Sequence, residues 1–153
     1  MELRFKTFHP QAKQPVYGSQ GAAGADLCAV CGEEGVLLKA GQRVLIPTGI
    51  GVEIPQGYVG LVFARSSMGV KYGVSLSNAV GVIDSDYRGE ISVGLINLSD
   101  TDRTILPGER IAQLVIMPAA APTFVQVDEL SETKRGAGGF GSTGRVELAK
   151  QEG

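Results

Sequence analysis

The sequence predicts an all-β fold of the jelly-roll kind, with one short helix and a flexible glycine-rich C-terminal arm. Three observations carry this expectation. Apolar runs are short and rich in Val, Ile, Leu and Phe, turn residues punctuate them at close intervals, and the C-terminal stretch changes composition abruptly. Many short strands at such spacing close into a sandwich or barrel. A chain of 153 residues suits one domain, for which roughly 100–200 residues is usual. At that size about 68–70% of the unfolded surface is buried, so neither disulfide nor metal staples are needed.

The expected strands are Glu2–Phe5, Ala25–Val30, Gln42–Ile46, Ile50–Ile54, Tyr58–Ala64, Val74–Leu76, Ile91–Asn97 and Ile111–Met117. Ile91, Val93 and Leu95 alternate with Ser92 and Gly94, the period of a half-buried strand. Pro47-Thr48-Gly49, Pro55-Gln56-Gly57 and Pro107-Gly108 supply turns between runs. Ser66–Tyr72 reads as the one short helix, with serine as its cap. The chain divides near residue 130, into a β-rich core over 1–130 and an arm over 131–153. The arm segment Lys134–Arg145 is dense in glycine, and each glycine loses much backbone entropy on ordering. It reads either as a flexible tail or as a segment that orders on a phosphate. Its two Arg, its Ser and Thr and its unobstructed N–H groups suit an anion, and Phe140 could cover a flat base.

Composition excludes several classes of function. Hydrophobic residues are 43% and charged residues 20%, far from a disordered chain. The net charge of −2 argues against a nucleic-acid coat, which needs a basic stripe, but not against a small anion held by a few placed Arg. No run approaches the roughly 18–20 apolar residues of a membrane span, and Met1–Lys6 lacks the apolar core of a signal peptide. A cytoplasmic protein binding neither nucleic acid nor membrane is expected. Cys28 and Cys31 form a lone C-x-x-C with only His9 as a further soft ligand. Zinc needs more than that, and reduced structural thiols are the expectation.

One literal motif misleads. Gly139-x-Gly141-x-x-Gly144 matches the dinucleotide fingerprint, but only nine residues follow Gly144. There is no room for the helix and the acidic residue that the motif requires. What survives is glycine-rich backbone suited to phosphates. Four further places carry chemistry. Ala23-Gly24-Ala25-Asp26-Leu27 sets one carboxylate in an apolar segment. Arg65-Ser66-Ser67-Met68-Gly69 offers a guanidinium and two hydroxyls at the start of the expected helix, where free N–H groups favour anions. Gly81–Gly89 is a hairpin-like stretch with Asp84, Asp86 and Tyr87, and Pro107–Leu114 is a turn running into a strand with an inward-capable Gln113.

In this order, the four segments and the arm resemble the five motifs of the trimeric dUTPases, the dUTP nucleotidohydrolases, over roughly residues 20–144. The most specific are G-x-I-D-x-x-Y-x-G at Gly81–Gly89 and R-G-x-G-G-F-G-S-T-G at Arg135–Gly144. The resemblance implies the jelly-roll-like dUTPase fold and a homotrimer whose sites are each built from all three chains. It also implies Mg²⁺-assisted hydrolysis of dUTP to dUMP and pyrophosphate. That activity keeps uracil out of DNA and supplies dUMP for thymidylate synthesis.

It further implies roles for individual residues. Asp84 would be the general base on the water that attacks the α-phosphorus. Asp26 would hold Mg²⁺ through coordinated water. Arg65, Ser66 and Ser67 would contact the phosphates, and Gln113 would orient the phosphate and metal-water network. Asn78, Gly81, Val82, Ile83 and Asp84 would read uracil, largely through backbone. Tyr87 would pack under the deoxyribose and exclude a 2′-OH, and Ser92 would add a backbone contact. Arg135, Phe140, Gly141, Ser142 and Thr143 belong to the arm, with Phe140 stacked on the base and the rest closing over the phosphates. Ser67 departs from the family's usual Gly, and Ala64 from its common Pro. Arg-Ser-Ser is also similar to the related dCTP deaminases, although Asp84-x-x-Tyr87 and the complete arm are dUTPase features. An inactive binding or regulatory protein on the same scaffold is the rival from another class.

Overall fold

Short alternating runs become strands, and among the described residues every strand pairing is antiparallel. The computed structural model describes residues 1–139. Its strands are β1 (Arg4–Thr7), β2 (Val16–Tyr17), β3 (Ala25–Cys28), β4 (Val36–Leu38), β5 (Arg43–Pro47) and β6 (Ile50–Glu53). They continue with β7 (Tyr58–Ala64), β8 (Val74–Leu76), β9 (Gly81–Ile83), β10 (Ser92–Asn97), β11 (Arg103–Ile105) and β12 (Arg110–Pro118). A five-stranded sheet runs in the order β2-β3-β12-β7-β9 and a three-stranded sheet in the order β5-β10-β8. β1 pairs with β6 and β11 with β4 as two-stranded ribbons. This is the all-β, jelly-roll-like architecture that the sequence predicts. Among the described residues no helix is long and apolar enough to cross a membrane.

The alternation in β10 does what its period requires. Val93 and Leu95 are buried while Ser92 is exposed. Val93 lies opposite Ile46 of β5, and Leu95 lies between Val44 of β5 and Leu76 of β8. One apolar core joins these side chains to Leu27, Val62, Ile111 and Leu114 of the five-stranded sheet, to Leu38 and Ile105 of the β4–β11 ribbon, and to Ile50 and Val52 of β6. Each fully buried Leu or Ile contributes roughly 1.5–3 kcal/mol, so all four sheets depend on one core.

Asn97 stands in phase with Val93 and Leu95 and is fully buried. Its Nδ2 donates to the carbonyls of Leu38 (3.1 Å) and Thr101 (2.8 Å), and its Oδ1 accepts from the N–H (3.0 Å) and hydroxyl (2.7 Å) of Ser99. Buried polar groups left without partners are costly. Asn97→Ala should therefore lower the unfolding free energy by about 2–3 kcal/mol, read as an earlier urea midpoint with unchanged slope.

The strands β2, β4, β9 and β11 go beyond the sequence expectation; each has only two or three residues. The expected helix is a single π-helical turn, Ser67–Lys71, and Ser66 makes no capping hydrogen bond. The reason is local: Ser66 already has helical backbone angles (φ −54°, ψ −41°), whereas a capping residue has extended ones. Burial of Met68 in the core anchors the turn.

The hairpin-like stretch is also different. β9 pairs with β7 and β10 with β5 and β8, so Gly81–Gly89 carries the chain from one sheet to another rather than folding back on itself.

The chain divides into two compact units, Met1–Ala121 and Pro122–Gly153. In the described part of the second, Thr133–Gly138 forms a turn. There Gly136 N–H donates to Thr133 O (3.0 Å) and Gly138 N–H to Arg135 O (3.1 Å). Phe140, Gly141, Ser142 and Thr143 lie outside the described residues.

Candidate active site

Asp26, on β3 beside the central strand of the five-stranded sheet, is only 2% exposed. Two guanidinium groups and an amide surround it. Arg65 Nε is 2.9 Å from Oδ1, Arg110 Nη1 is 3.0 Å from Oδ2, and Gln113 Nε2 donates to Oδ1 at 3.3 Å. Arg65 Nε makes no hydrogen bond in this arrangement, so its contact with Asp26 is ionic, with the N–H aimed elsewhere. A buried carboxylate requires such partners.

The register explains why these residues meet. Gln113 of β12 lies directly opposite Asp26 of β3 on one side and Phe63 of β7 on the other. Arg65 follows the last residue of β7. Gly24 is buried, and a Cβ there would stand 3.0 Å from Gln113 Cβ; glycine allows the close approach that puts the Gln113 amide on Asp26. Arg110 is the residue that spacing does not assign to this patch. It lies three positions before Gln113, and strict alternation would put the two on opposite faces. A bulge between Arg110 and Ala112 adds one residue to β12, so Arg110 pairs with Cys28, which shares a face with Asp26. Bulges re-aim side chains in this way.

Pro107-Gly108 forms the turn before β12, with Glu109 N–H donating to Leu106 O (3.1 Å) and Gly108 at φ 72°. Proline followed by a left-handed glycine is the signature of a type II turn.

Asp84, Tyr87 and their neighbours form a second patch. Asp84 is exposed where the chain leaves β9, and Tyr87 N–H donates to Asp84 O at 3.1 Å. The Tyr87 hydroxyl donates to Glu90 O at 2.9 Å and fixes the ring, which remains 44% exposed. Val82 is exposed, whereas Gly81 and Ile83 are half-buried. Gly81–Ile83 pair with Val62–Gly60 of β7. Asn78 is exposed in the turn after β8, beside Ala79 at φ 63°. Ser92 is exposed at the start of β10, and Ser66 and Ser67 are exposed beyond β7. A cleft of about 480 Å³ reaches Asp84 between Gln56, Tyr58 and Ala119. Arg135 is exposed, with its Nε donating to Gly138 O at 2.8 Å.

The two patches do not meet within one chain. Asp26 lies on β3 and Asp84 at the far end of β9, with β12 and β7 between them. Three strand spacings and about four residues of rise put them about 20 Å apart.

Both thiols are free. Burial pushes the Cys28 thiol up, against the pull of Lys13; burial and then Glu109 raise Cys31. Protonated thiols are poor nucleophiles and poor metal ligands. Among the described residues no three His, Cys, Asp or Glu gather to hold a metal. Asp26 as sole carboxylate would not cage a bare cation. It does suit an ion that keeps its waters and takes its other ligands from phosphates, which is the habit of Mg²⁺.

These features define an all-β protein with one patch of paired charges around Asp26 on β3, β7 and β12 and a separate acid–tyrosine patch after β9. The dUTPase family model matches residues 10–144. A deoxyuridine 5'-triphosphate nucleotidohydrolase of Hydrogenobaculum sp. is 47% identical over 144 residues, covering 94% of this chain and 99% of that protein. One from Desulfitobacterium hafniense is 51% identical over 133 residues, covering 86% and 87%. A mutant dUTPase of Staphylococcus bacteriophage 80alpha, solved with dUpNHpp, superposes with TM-score 0.85 at 30% identity, covering 94% and 99%. The chain belongs to the dUTPase family.

Proposed function

We propose that this chain hydrolyses dUTP to dUMP and pyrophosphate, in active sites shared between the subunits of a homotrimer. The observation that carries the reading is the convergence of Asp26, Arg65 and Gln113, from three separate sequence motifs, at one point. Asp84 takes the proton of the attacking water while that water bonds to the α-phosphorus, and pyrophosphate leaves. A base must come within about 2.6–3.2 Å of the water, and the exposure of Asp84 permits that approach. Arg65, Ser66 and Ser67 hold the phosphates. Arg110 and Gln113 keep Asp26 in place. Asp26 would hold Mg²⁺ through water, and the ion would supply charge neutralisation on the triphosphate when bound. The related phage phi11 dUTPase is described with a structural Mg(II) ion.

The family resemblance supports the homotrimer, and the separation of the two patches is in keeping with sites shared between copies. Arg110 and Asp84 are exposed in the single chain, and a second copy could bring its Asp84 patch to the Asp26 patch. Exposed apolar side chains such as Phe5, Leu45 and Val82 suit burial between copies. A cytoplasmic location accords with the two free thiols.

Backbone of Gly81–Asp84 reads uracil, with Asn78 and Ser92 assisting. A site built to match hydrogen-bonding edges rejects a base that leaves buried groups unpaired. Tyr87 excludes a 2′-OH, so Tyr87→Ala should relax discrimination. The expected result is a dUTP/UTP ratio of kcat/KM lowered at least about tenfold; an unchanged ratio would refute the steric gate. The arm, residues 131–153, closes over the nucleotide through Arg135, Phe140, Gly141, Ser142 and Thr143 and excludes bulk water. Truncation after Lys134 should remove most activity and leave the melting temperature nearly unchanged. A melting loss like that of a core mutant would contradict the assignment.

The activity itself is tested by pyrophosphate release from dUTP, dCTP, dTTP and UTP, with Mg²⁺ and then with chelator. Release from dUTP alone, lost with chelator, is expected. Pyrophosphate release from dCTP at a rate like that from dUTP would contradict the base selectivity assigned to the Gly81–Asp84 backbone.

A further inference from the structure

Arg103 occupies a position where the strand period calls for an apolar side chain. It lies two residues from Ile105 on β11, so the two share a face, and Ile105 is fully buried. A charged group on a core-facing position is unusual unless it is paired. Arg103 is doubly engaged. Its guanidinium carbon sits 3.5 Å from the centroid of the Tyr72 ring, and its Nη2 pairs with Glu109 Oε1. Glu109 Oε2 in turn accepts from Leu106 N–H at 3.0 Å. Arg103 and Glu109 side chains are each only 21% exposed.

The elements joined by this stack are those that hold Asp26. Tyr72 closes the π-helical turn that begins beside Arg65, and its N–H donates to Gly69 O. The next residue, Gly73, has φ 65°; its carbonyl accepts from Leu98 N–H at 2.8 Å, and a Cβ on it would collide with Ser99. Glu109 immediately precedes Arg110, the second guanidinium on Asp26, and its carbonyl accepts from Ala29 N–H at 2.8 Å. Arg103 thus bridges the far end of the Arg65–Tyr72 segment to the turn that launches Arg110. Lys71 Nζ also approaches the Tyr72 ring, but at 5.2 Å, and it belongs to the turn itself, so it bridges nothing.

We propose that Arg103, stacked on Tyr72 and paired with Glu109, is a positioning residue that fixes the Arg65–Ser67 segment for the triphosphate. The inference rests on the reading that Arg65, Ser66 and Ser67 hold phosphates. Arg103 itself touches no reacting atom: it acts through the turn between Tyr72 and Arg65. A planar guanidinium can lie over a ring and still donate from Nη2 to Glu109, which an ammonium cannot do in the same geometry. The bridge should therefore govern how well the triphosphate is gripped, and govern much less how well the nucleoside end binds.

The test is carried out on the full chain. Arg103→Met combined with Glu109→Gln removes the stack without leaving either charge unpaired. Tyr72→Leu removes the ring, and Tyr72→Phe keeps it. Steady-state kinetics with dUTP are read beside binding of the imido analogue dUpNHpp and of dUMP. The expected result for the double variant and for Tyr72→Leu is a KM for dUTP and a Kd for dUpNHpp raised about tenfold, the scale of a partly desolvated cation–π contact. The dUMP affinity should stay within about twofold, and Tyr72→Phe should behave as the parent. Equal weakening of dUpNHpp and dUMP, or a parent-like KM in both disrupting variants, would overturn the proposal. Arg65→Ala is measured in parallel: if it leaves dUpNHpp binding unchanged, the phosphate reading of Arg65–Ser67 fails on its own account.

Discussion

Asp84→Asn should abolish turnover while leaving nucleotide binding near its parent value. The substitution conserves shape but removes the oxygen proposed to accept the proton from water. A positioned base contributes roughly 10²–10⁴-fold to such a step, and loss of that order in kcat is expected. Binding survives because the backbone of Gly81–Ile83 is held by β7 rather than by the Asp84 carboxylate. The exposure of Asp84 also means that folding does not depend on it. Single-turnover kinetics with dUTP and equilibrium binding of dUpNHpp check the two halves separately. Turnover near that of the parent would remove Asp84 from its role, and joint loss of binding and turnover would make it a structural residue.

Asp26→Asn should damage activity and stability together. Among the described residues, Asp26 is the only carboxylate that pairs with Arg65 and Arg110, at 2.9 and 3.0 Å. An amide there leaves two guanidinium groups facing each other without a counter-charge. Arg65 is 24% exposed and Arg110 is 52% exposed, so solvent screens part of the cost. A loss of about 1–2 kcal/mol is expected rather than the larger figure for a fully buried pair. On activity, the variant loses the carboxylate that would attach Mg²⁺ through water. kcat/KM should fall about 10²-fold, and the remaining rate should respond little to chelator. Urea unfolding and kinetics with and without Mg²⁺ measure both effects. A full Mg²⁺ response in the variant would contradict the assignment of Asp26.

What the sequence makes legible here follows from period and punctuation. β10 is visible because Val93 and Leu95 alternate with small or polar residues over a long enough run. β4, β9 and β11 escape because three residues do not make a period; they exist only because a partner strand pairs with them. The π-helical turn is recognisable as a turn but not in its hydrogen bonding, since burial of Met68 and the backbone of Ser66 settle its geometry. Among the site residues, Asp26, Arg65 and Gln113 can be named from motif order, and the register then places them together. Arg110 depends on a bulge, which reverses the face that alternation assigns to it. Arg103 is less accessible still, because its partners Tyr72 and Glu109 lie on other elements and no motif joins the three. The separation of Asp26 from Asp84 follows from strand order, which spacing along the chain does not encode.

That separation gives the most direct test of the shared active site. Asp26→Asn and Asp84→Asn subunits, each inactive alone, are co-produced with different tags, and mixed assemblies are isolated and assayed with dUTP. If Asp26 and Asp84 serve one site from different chains, some sites in a mixed trimer combine an intact Asp26 from one subunit with an intact Asp84 from another. Each mixed trimer then holds one complete site of three, so the isolated mixed assemblies should show about a third of the parent activity. Mixed assemblies as inactive as their two parents would mean that each site draws both aspartates from one chain, and would contradict the shared site.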